Sequence, residues 1–190
     1  MAKRPLQFYA DRLLALALVP CGPVEHEDLN HLASALSRKG VSVTIATERP
    51  VPPEAFNSRR QQYRAEDFLD CARIVPGDRV LAVTSYDLYA GNLHFVFGIA
   101  ESFGRCAVIS LFRLRVGVDV GEFRRRAVKE AVHELGHTFG LCHCSNSRCV
   151  MYFSNSLVDT DRKGTDWCEM CERQLCSYRE QFSLFQHKGG

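Results

Sequence analysis

The sequence predicts an α/β fold with a second, smaller C-terminal lobe, and three features predict it. The chain opens strand–helix–strand, a pattern that implies parallel pairing. A long helical stretch with a broad apolar face begins near Gly121. After Gly140 the composition changes to short polar turns rich in cysteine.

Residues 12–20, RLLALALVP, form a continuous apolar run closed by Pro20 and Gly22, as a buried central strand would be. Residues 24–40 place Val24, Leu29, Leu32, Ala33 and Leu36 at helical spacing, and Gly40 stops the pattern. The β-branched stretch 41–48 reads as a second strand. A proline-rich break follows at 49–54. Residues 59–75 carry Tyr63, Phe68, Leu69 and Ala72 ahead of Pro76-Gly77, which predicts a helix. Residues 79–85 form a third strand. FVFGIAE (95–101) and RCAVISLF (105–112), separated by Ser102-Phe103-Gly104, predict a hairpin. On the helix 121–140, Phe123, Ala127, Val128, Ala131, Leu135, Thr138 and Phe139 share one face, with Glu130, His133 and His137 opposite. A final amphipathic segment occupies 169–186.

At 190 residues the chain suits one domain, with an upper lobe over about 1–143 and a lower lobe over about 144–190. A net charge of +2 and pI near 8.1 fall below the strongly basic range of nucleic-acid-binding domains, so no nucleic-acid partner is expected. Arg124-Arg125-Arg126, near Arg113 and Arg115, reads as a solvated helix start. No segment approaches the ~20 apolar residues needed to span a bilayer. The N-terminal 22 residues imitate a secretion signal, but Asp11 and Arg12 precede the apolar run and no small-residue cleavage site follows, so a cytoplasmic location is expected. Nine cysteines cannot all pair, and six of them fall between 142 and 176, which favours metal ligation over a disulfide framework.

Within HELGHTFGLCH (133–143), His133 and His137 are one helical turn apart, so both imidazoles can reach one zinc ion. Glu134 projects about 100° away, within reach of a zinc-bound water, where a general base belongs. His143 would lie about 15 Å along a continuing helix, but a left-handed turn at Gly140 could return it to the metal. Three histidines and one water make an open, catalytic kind of site. Cys144-x₄-Cys149 and Cys168-x-x-Cys171 offer four thiolates for a closed, structural zinc. The run Cys142-His143-Cys144 leaves two assignments open. His143 could join the cysteine site, with Cys142 as a competing thiolate.

HELGHTFGLCH matches the metzincin signature H-E-x-x-H-x-x-G-x-x-H. With Cys144-x₄-Cys149-x-Met151 and Cys168-x-x-Cys171 it resembles the archaemetzincin family of zinc metallopeptidases across residues 133–171. The sixteen residues between Met151 and Cys168 depart by about one from the usual gap. The resemblance implies a metzincin-like mixed, mostly parallel twisted sheet with a long active-site helix. It implies two zinc ions per chain: one catalytic on His133, His137 and His143, one structural on Cys144, Cys149, Cys168 and Cys171. It further implies Glu134 as general acid/base, Met151 as the Met-turn residue below the metal, and a peptide or protein substrate lying along an upper edge strand, for which 95–101 is the candidate. The alternative functions are a zinc-stabilised binding module with a degenerate enzyme site, and a zinc amidase acting on a non-protein amide. His26 and His31 are expected at the surface and His94 near the cleft entrance, while Cys21, Cys71, Cys106 and Cys176 are expected as buried thiols.

Overall fold

The apolar run at the start of the chain becomes strand β1 (Leu14–Pro20), buried along nearly its whole length, as a strand covered on both faces must be. The structure, a computed structural model, describes residues 13–186, so most of the signal-like N-terminus lies outside the described residues. Helix α1 (His26–Ser37) buries Leu29, Leu32, Ala35 and Leu36 and ends before Gly40. Strand β2 (Val41–Ile45) then pairs with β1 in parallel, Leu16 opposite Val43.

Residues 56–64 correct the helix expected over 59–75. They form two short antiparallel strands, β3 (Phe56–Asn57) and β4 (Gln62–Arg64), and helix α2 is confined to Ala65–Arg73. The reason is local and tertiary together. Asn57 accepts hydrogen bonds from the Arg59 and Arg60 amides, and Gln61 adopts a positive φ of 54° that breaks any helix. Gln62 is buried and donates to Asp87 and to the His94 carbonyl, partners that no local pattern reveals. Tyr63 stacks against Tyr86 at 4.4 Å instead of riding a helix face.

Strand β5 (Arg79–Thr84) is followed by β6 (Leu88–Tyr89), which joins β3 and β4 in a small second sheet and has too few residues to carry a pattern. The predicted hairpin forms as β7 (Gly98–Ala100) and β8 (Cys106–Ser110). The main sheet runs β2-β1-β5-β8-β7, with the first four strands parallel and β7 antiparallel at the edge. Alternation divides the core. Leu14, Leu16, Leu18 and Ile109 face α1 and helix α3 (Val120–Thr138), while Ala17, Val19 and Val108 face Phe68 and Ala72 of α2. This is the mixed, mostly parallel α/β sheet with a long helix that the sequence predicted.

Asp119 starts α3 by accepting from the Glu122 amide at 2.8 Å. In the arginine run behind it Arg125 is solvated as expected, whereas Arg124 and Arg126 turn to neighbouring elements. Arg124 pairs with Asp28 and Glu27, Arg125 with Glu122, and Arg126 is 4% exposed with both Asp161 oxygens and two carbonyls around its guanidinium. Arg113 and Arg115 pair with Asp87 and Asp28. Arg124 fastens α3 to α1, and Arg126 fastens it to the segment around Asp161.

The C-terminal part adds two helices: α4 (Leu157–Arg162), which the polar sequence did not announce, and α5 (Glu169–Gln186). Its Met151, Cys171 and Leu175 join the hydrophobic cluster beneath the sheet, so one core runs through both parts. Cys21 and Cys106 are buried as expected, but Cys71 is half-buried and Cys176 exposed. Cys176 sits on an outward face of α5, a placement set by how that helix packs. His26 and His94 are exposed and His31 half-buried. No helix among the described residues is long and apolar enough to cross a membrane.

Candidate metal centres

Helix α3 ends in a way that shapes the first centre. The Leu141 amide donates to Gly136 and the Gly140 amide to His137, the paired bonds of a Schellman cap. Gly140 takes φ +82°, and a Cβ there would also collide with the Phe103 ring. Gly140→Ala therefore carries a left-handed penalty of about 1–2 kcal/mol plus an aromatic clash. A thermal melt is expected to show clear destabilisation, and an unchanged Tm would remove this account of the turn.

Beyond the turn, His143 comes back to His133 and His137, with ring centroids 5.3 and 4.9 Å away. One ligand-type nitrogen from each of the three lies within 4.8 Å of the other two. Hydrogen bonds set the tautomers of the first two rings. Nδ1 of His133 donates to the Val150 carbonyl at 2.8 Å and Nδ1 of His137 to the Leu141 carbonyl at 2.7 Å. Both Nε2 atoms are then bare lone pairs, and they face each other at 3.1 Å. Two acceptors that close repel unless a cation lies between them. Bonds of 2.0–2.1 Å to one tetrahedral zinc would put them about 3.4 Å apart, so the donor set fits zinc. Burial lowers the pKa of His133 well below the ordinary imidazole value, helped by the nearby Lys163 charge, and burial also lowers His137 and His143. All three are held in the neutral form that ligates. His143 is exposed and the other two are not, so the centre opens to solvent on the His143 side, beside Phe153 at 4.8 Å.

Glu134 is buried, and burial followed by the neighbouring Glu130 raises its pKa well above the usual carboxylate range. It lies against Gly98 of β7. A Cβ on Gly98 would stand 2.7 Å from its Cγ and 2.8 Å from its Oε1. In the β7–β8 ladder, Ser110 donates to Phe97 and Glu101 to Cys106. The alternation turns the backbone groups of Phe97, Ile99 and Glu101 toward β8, and those of Gly98 and Ala100 toward the outer edge.

Beneath the histidines lies a buried ion pair. Lys163 Nζ is 3.1 Å from Glu130 and 3.5 Å from His133 Nδ1, and Thr160 donates to Glu130 at 3.0 Å. Removing one partner strands a buried charge, so Lys163→Met should cost about 3–5 kcal/mol in denaturant unfolding. A loss below about 1 kcal/mol would show that the pair does not hold α4 against α3.

The second centre gathers Cys144, Cys149, Cys168 and Cys171, their sulfurs all within 4.8 Å of one another. Sγ atoms of Cys144 and Cys168 are 3.7 Å apart, and those of Cys149 and Cys171 3.8 Å. A disulfide would need about 2.05 Å, whereas four 2.3 Å bonds to one tetrahedral zinc give about 3.8 Å. Backbone amides of Asn146 and Cys168 point at the Cys144 and Cys149 sulfurs, as they do around thiolates. Burial pushes the Cys168 thiol up, but hydrogen bonds from the Cys171 amide and the neighbouring thiols outweigh it and hold it at about 7. Four crowded sulfurs, with Cys168 held toward the thiolate, suit a dication. Cys142 is exposed and stands outside both groups.

One loop serves both centres. His143 and Cys144 are adjacent, Cys144 donates its amide to the Met151 carbonyl at 2.9 Å, and Val150 holds His133. Met151 is fully buried under α3, where a Cβ on Gly136 would strike its sulfur.

The structure thus gathers His133, His137 and His143 in one group and Cys144, Cys149, Cys168 and Cys171 in another, with Cys142 in neither. Sequence reasoning missed Lys163, a lone lysine whose partners are some 30 positions away. It also missed Gly98, although an isolated glycine in a strand pattern is a sign of close approach.

Comparison with known proteins points to one family. Residues 43–177 match the model of Peptidase family M54. The chain is 40% identical over 168 residues to an archaemetzincin of Methanocaldococcus jannaschii, covering 86% of this chain and 93% of that one. It resembles the crystal structure of archaemetzincin from Methanopyrus kandleri with a TM-score of 0.82 and 38% identity, over 90% of this chain and 98% of that one. For archaemetzincin from Archaeoglobus fulgidus, solved with malonate, the TM-score is 0.77 and the identity 39%, over 85% and 99%.

Proposed function

The chain belongs to Peptidase family M54, the archaemetzincins, and is a zinc metallopeptidase; from that premise we propose which residues carry the reaction. His133, His137 and His143 hold the catalytic zinc, and Cys144, Cys149, Cys168 and Cys171 hold a second, structural one. The observation that carries this is the pair of bare Nε2 lone pairs facing each other at 3.1 Å beside His143. Zinc bound there supplies Lewis acidity, which polarises a scissile carbonyl and acidifies water.

Glu134 takes the proton of the attacking water and delivers it to the leaving amine nitrogen. Its carboxylate is shielded from bulk water, so the proton it accepts is not lost before the amine needs it. The substrate is a peptide or protein. It lies in extended form against β7, where the outward amides and carbonyls of Gly98 and Ala100 pair with its backbone. Met151 forms the apolar base under the metal. The chain makes one catalytic domain, with an upper lobe up to about residue 143 and a lower lobe from about residue 144.

Zinc per chain, measured by elemental mass spectrometry on protein purified without chelator or affinity nickel, tests the reading. Two equivalents are expected, together with cleavage of a mixed peptide pool that a chelator abolishes. A single equivalent that added zinc cannot raise would overturn the two-site assignment.

A further inference from the structure

Gly98 lies in β7, the edge strand of the main sheet, directly against the side chain of Glu134. The missing side chain of Gly98 is what leaves room there, since a Cβ would stand within 2.8 Å of both Cγ and Oε1 of Glu134. Real Cβ atoms do not approach so closely, so any other residue would force a displacement. Glu134 has little freedom to yield, because it is buried on a helix packed between the sheet and the lower lobe. The Cβ would also stand 2.6 Å from the Val108 carbonyl of β8, so the strand itself resists moving aside.

We infer that Gly98 is a positioning residue for the reaction: the absence of a side chain at this point of the edge strand seats the Glu134 carboxylate beside the metal centre. The inference rests on Glu134 being the general acid/base. It adds that the strand offered to the peptide and the base that acts on it meet at one residue. Substrate alignment and base alignment are then set by the same backbone segment. A reacting group displaced by about 1 Å costs on the order of 100-fold in rate. The penalty should fall on kcat, because Glu134 acts on water in the transition state and does not bind the peptide.

The experiment is a cycle of Gly98→Ala, Glu134→Ala and the double variant, each zinc-loaded, with thermal melts and zinc content measured. Gly98→Ala is expected to lower Tm by about 5 °C or more in the wild-type background. In the Glu134→Ala background, where Cγ and Oε1 are gone, it should lower Tm by less than about half as much. On the best-cleaved member of an internally quenched peptide pool, Gly98→Ala should reduce kcat about 100-fold with KM within about twofold and zinc content unchanged.

Equal Tm losses in both backgrounds would place the clash on Val108 alone and overturn the inference, as would coupling in Tm with kcat unaltered. If Gly98→Ala does not fold, folding of the double variant supports the inference and its failure to fold overturns it. Glu134→Gln, assayed alongside, separates the two claims. An active Glu134→Gln overturns the base assignment and this inference with it. An inactive Glu134→Gln with no Tm coupling overturns the role of Gly98 alone.

Discussion

Replacing Glu134 by glutamine is expected to lower kcat for peptide hydrolysis by about 10²–10⁴-fold, the usual contribution of a positioned general base, while zinc content stays unchanged. Glutamine keeps the volume and removes the proton acceptor. None of the seven proposed ligand atoms is touched, so both metals should remain. Stability is expected to hold or rise slightly, because a buried carboxylate whose pKa is raised by burial is costly to keep ionised. Single-turnover assays, zinc analysis and a thermal melt on one preparation decide the matter. Retained hydrolysis would remove Glu134 from the mechanism. Lost zinc would make it a residue of metal retention instead.

Cys168→Ser is expected to have the largest structural effect, and to reach both metals. Losing one thiolate opens the closed four-sulfur site, and structural zinc contributes directly to folding. A fall in Tm of at least about 10 °C is expected for a chain of this size. The effect should spread because the loop from His143 to Met151 is shared. Cys144 and Cys149 anchor it, and His143 and the Val150 carbonyl that orients His133 ride on it. Zinc content should therefore fall from two equivalents to well below one. A variant that keeps one zinc and full activity would show that the two centres are independent.

The ligand sets were legible in the sequence because their chemistry depends on residue type and short spacing. His133 and His137 share one helix face, and each cysteine pair lies on one short turn, so each half of a site could be read without the fold. The β1–α1–β2 opening and the β7–β8 hairpin were legible for a similar reason, since their apolar patterns reflect burial that neighbouring elements impose all along them. Residues 56–64 were not, because Gln62 owes its strand position to Asp87 and the His94 carbonyl, and nothing nearby in sequence marks that demand. Arg126 read as a solvated charge because its partner Asp161 is 35 residues away. The family resemblance, not the spacing, assigned His143 and Cys144 to different metals, and the geometry agrees with that division.

What the sequence determined by itself was which atoms are available to bind metal and carry protons, and the parallel α/β frame that holds them. Only the tertiary structure decided how those atoms are aimed. The bare Nε2 pair depends on the Val150 and Leu141 carbonyls, Glu134 of α3 lies against Gly98 of β7, and a lysine brought back by α4 pairs with Glu130 beside His133. Helical and strand periodicities record which side of an element is buried. They carry no record of which distant group fills the space on that side, and at this centre such groups orient the His133 and His137 rings.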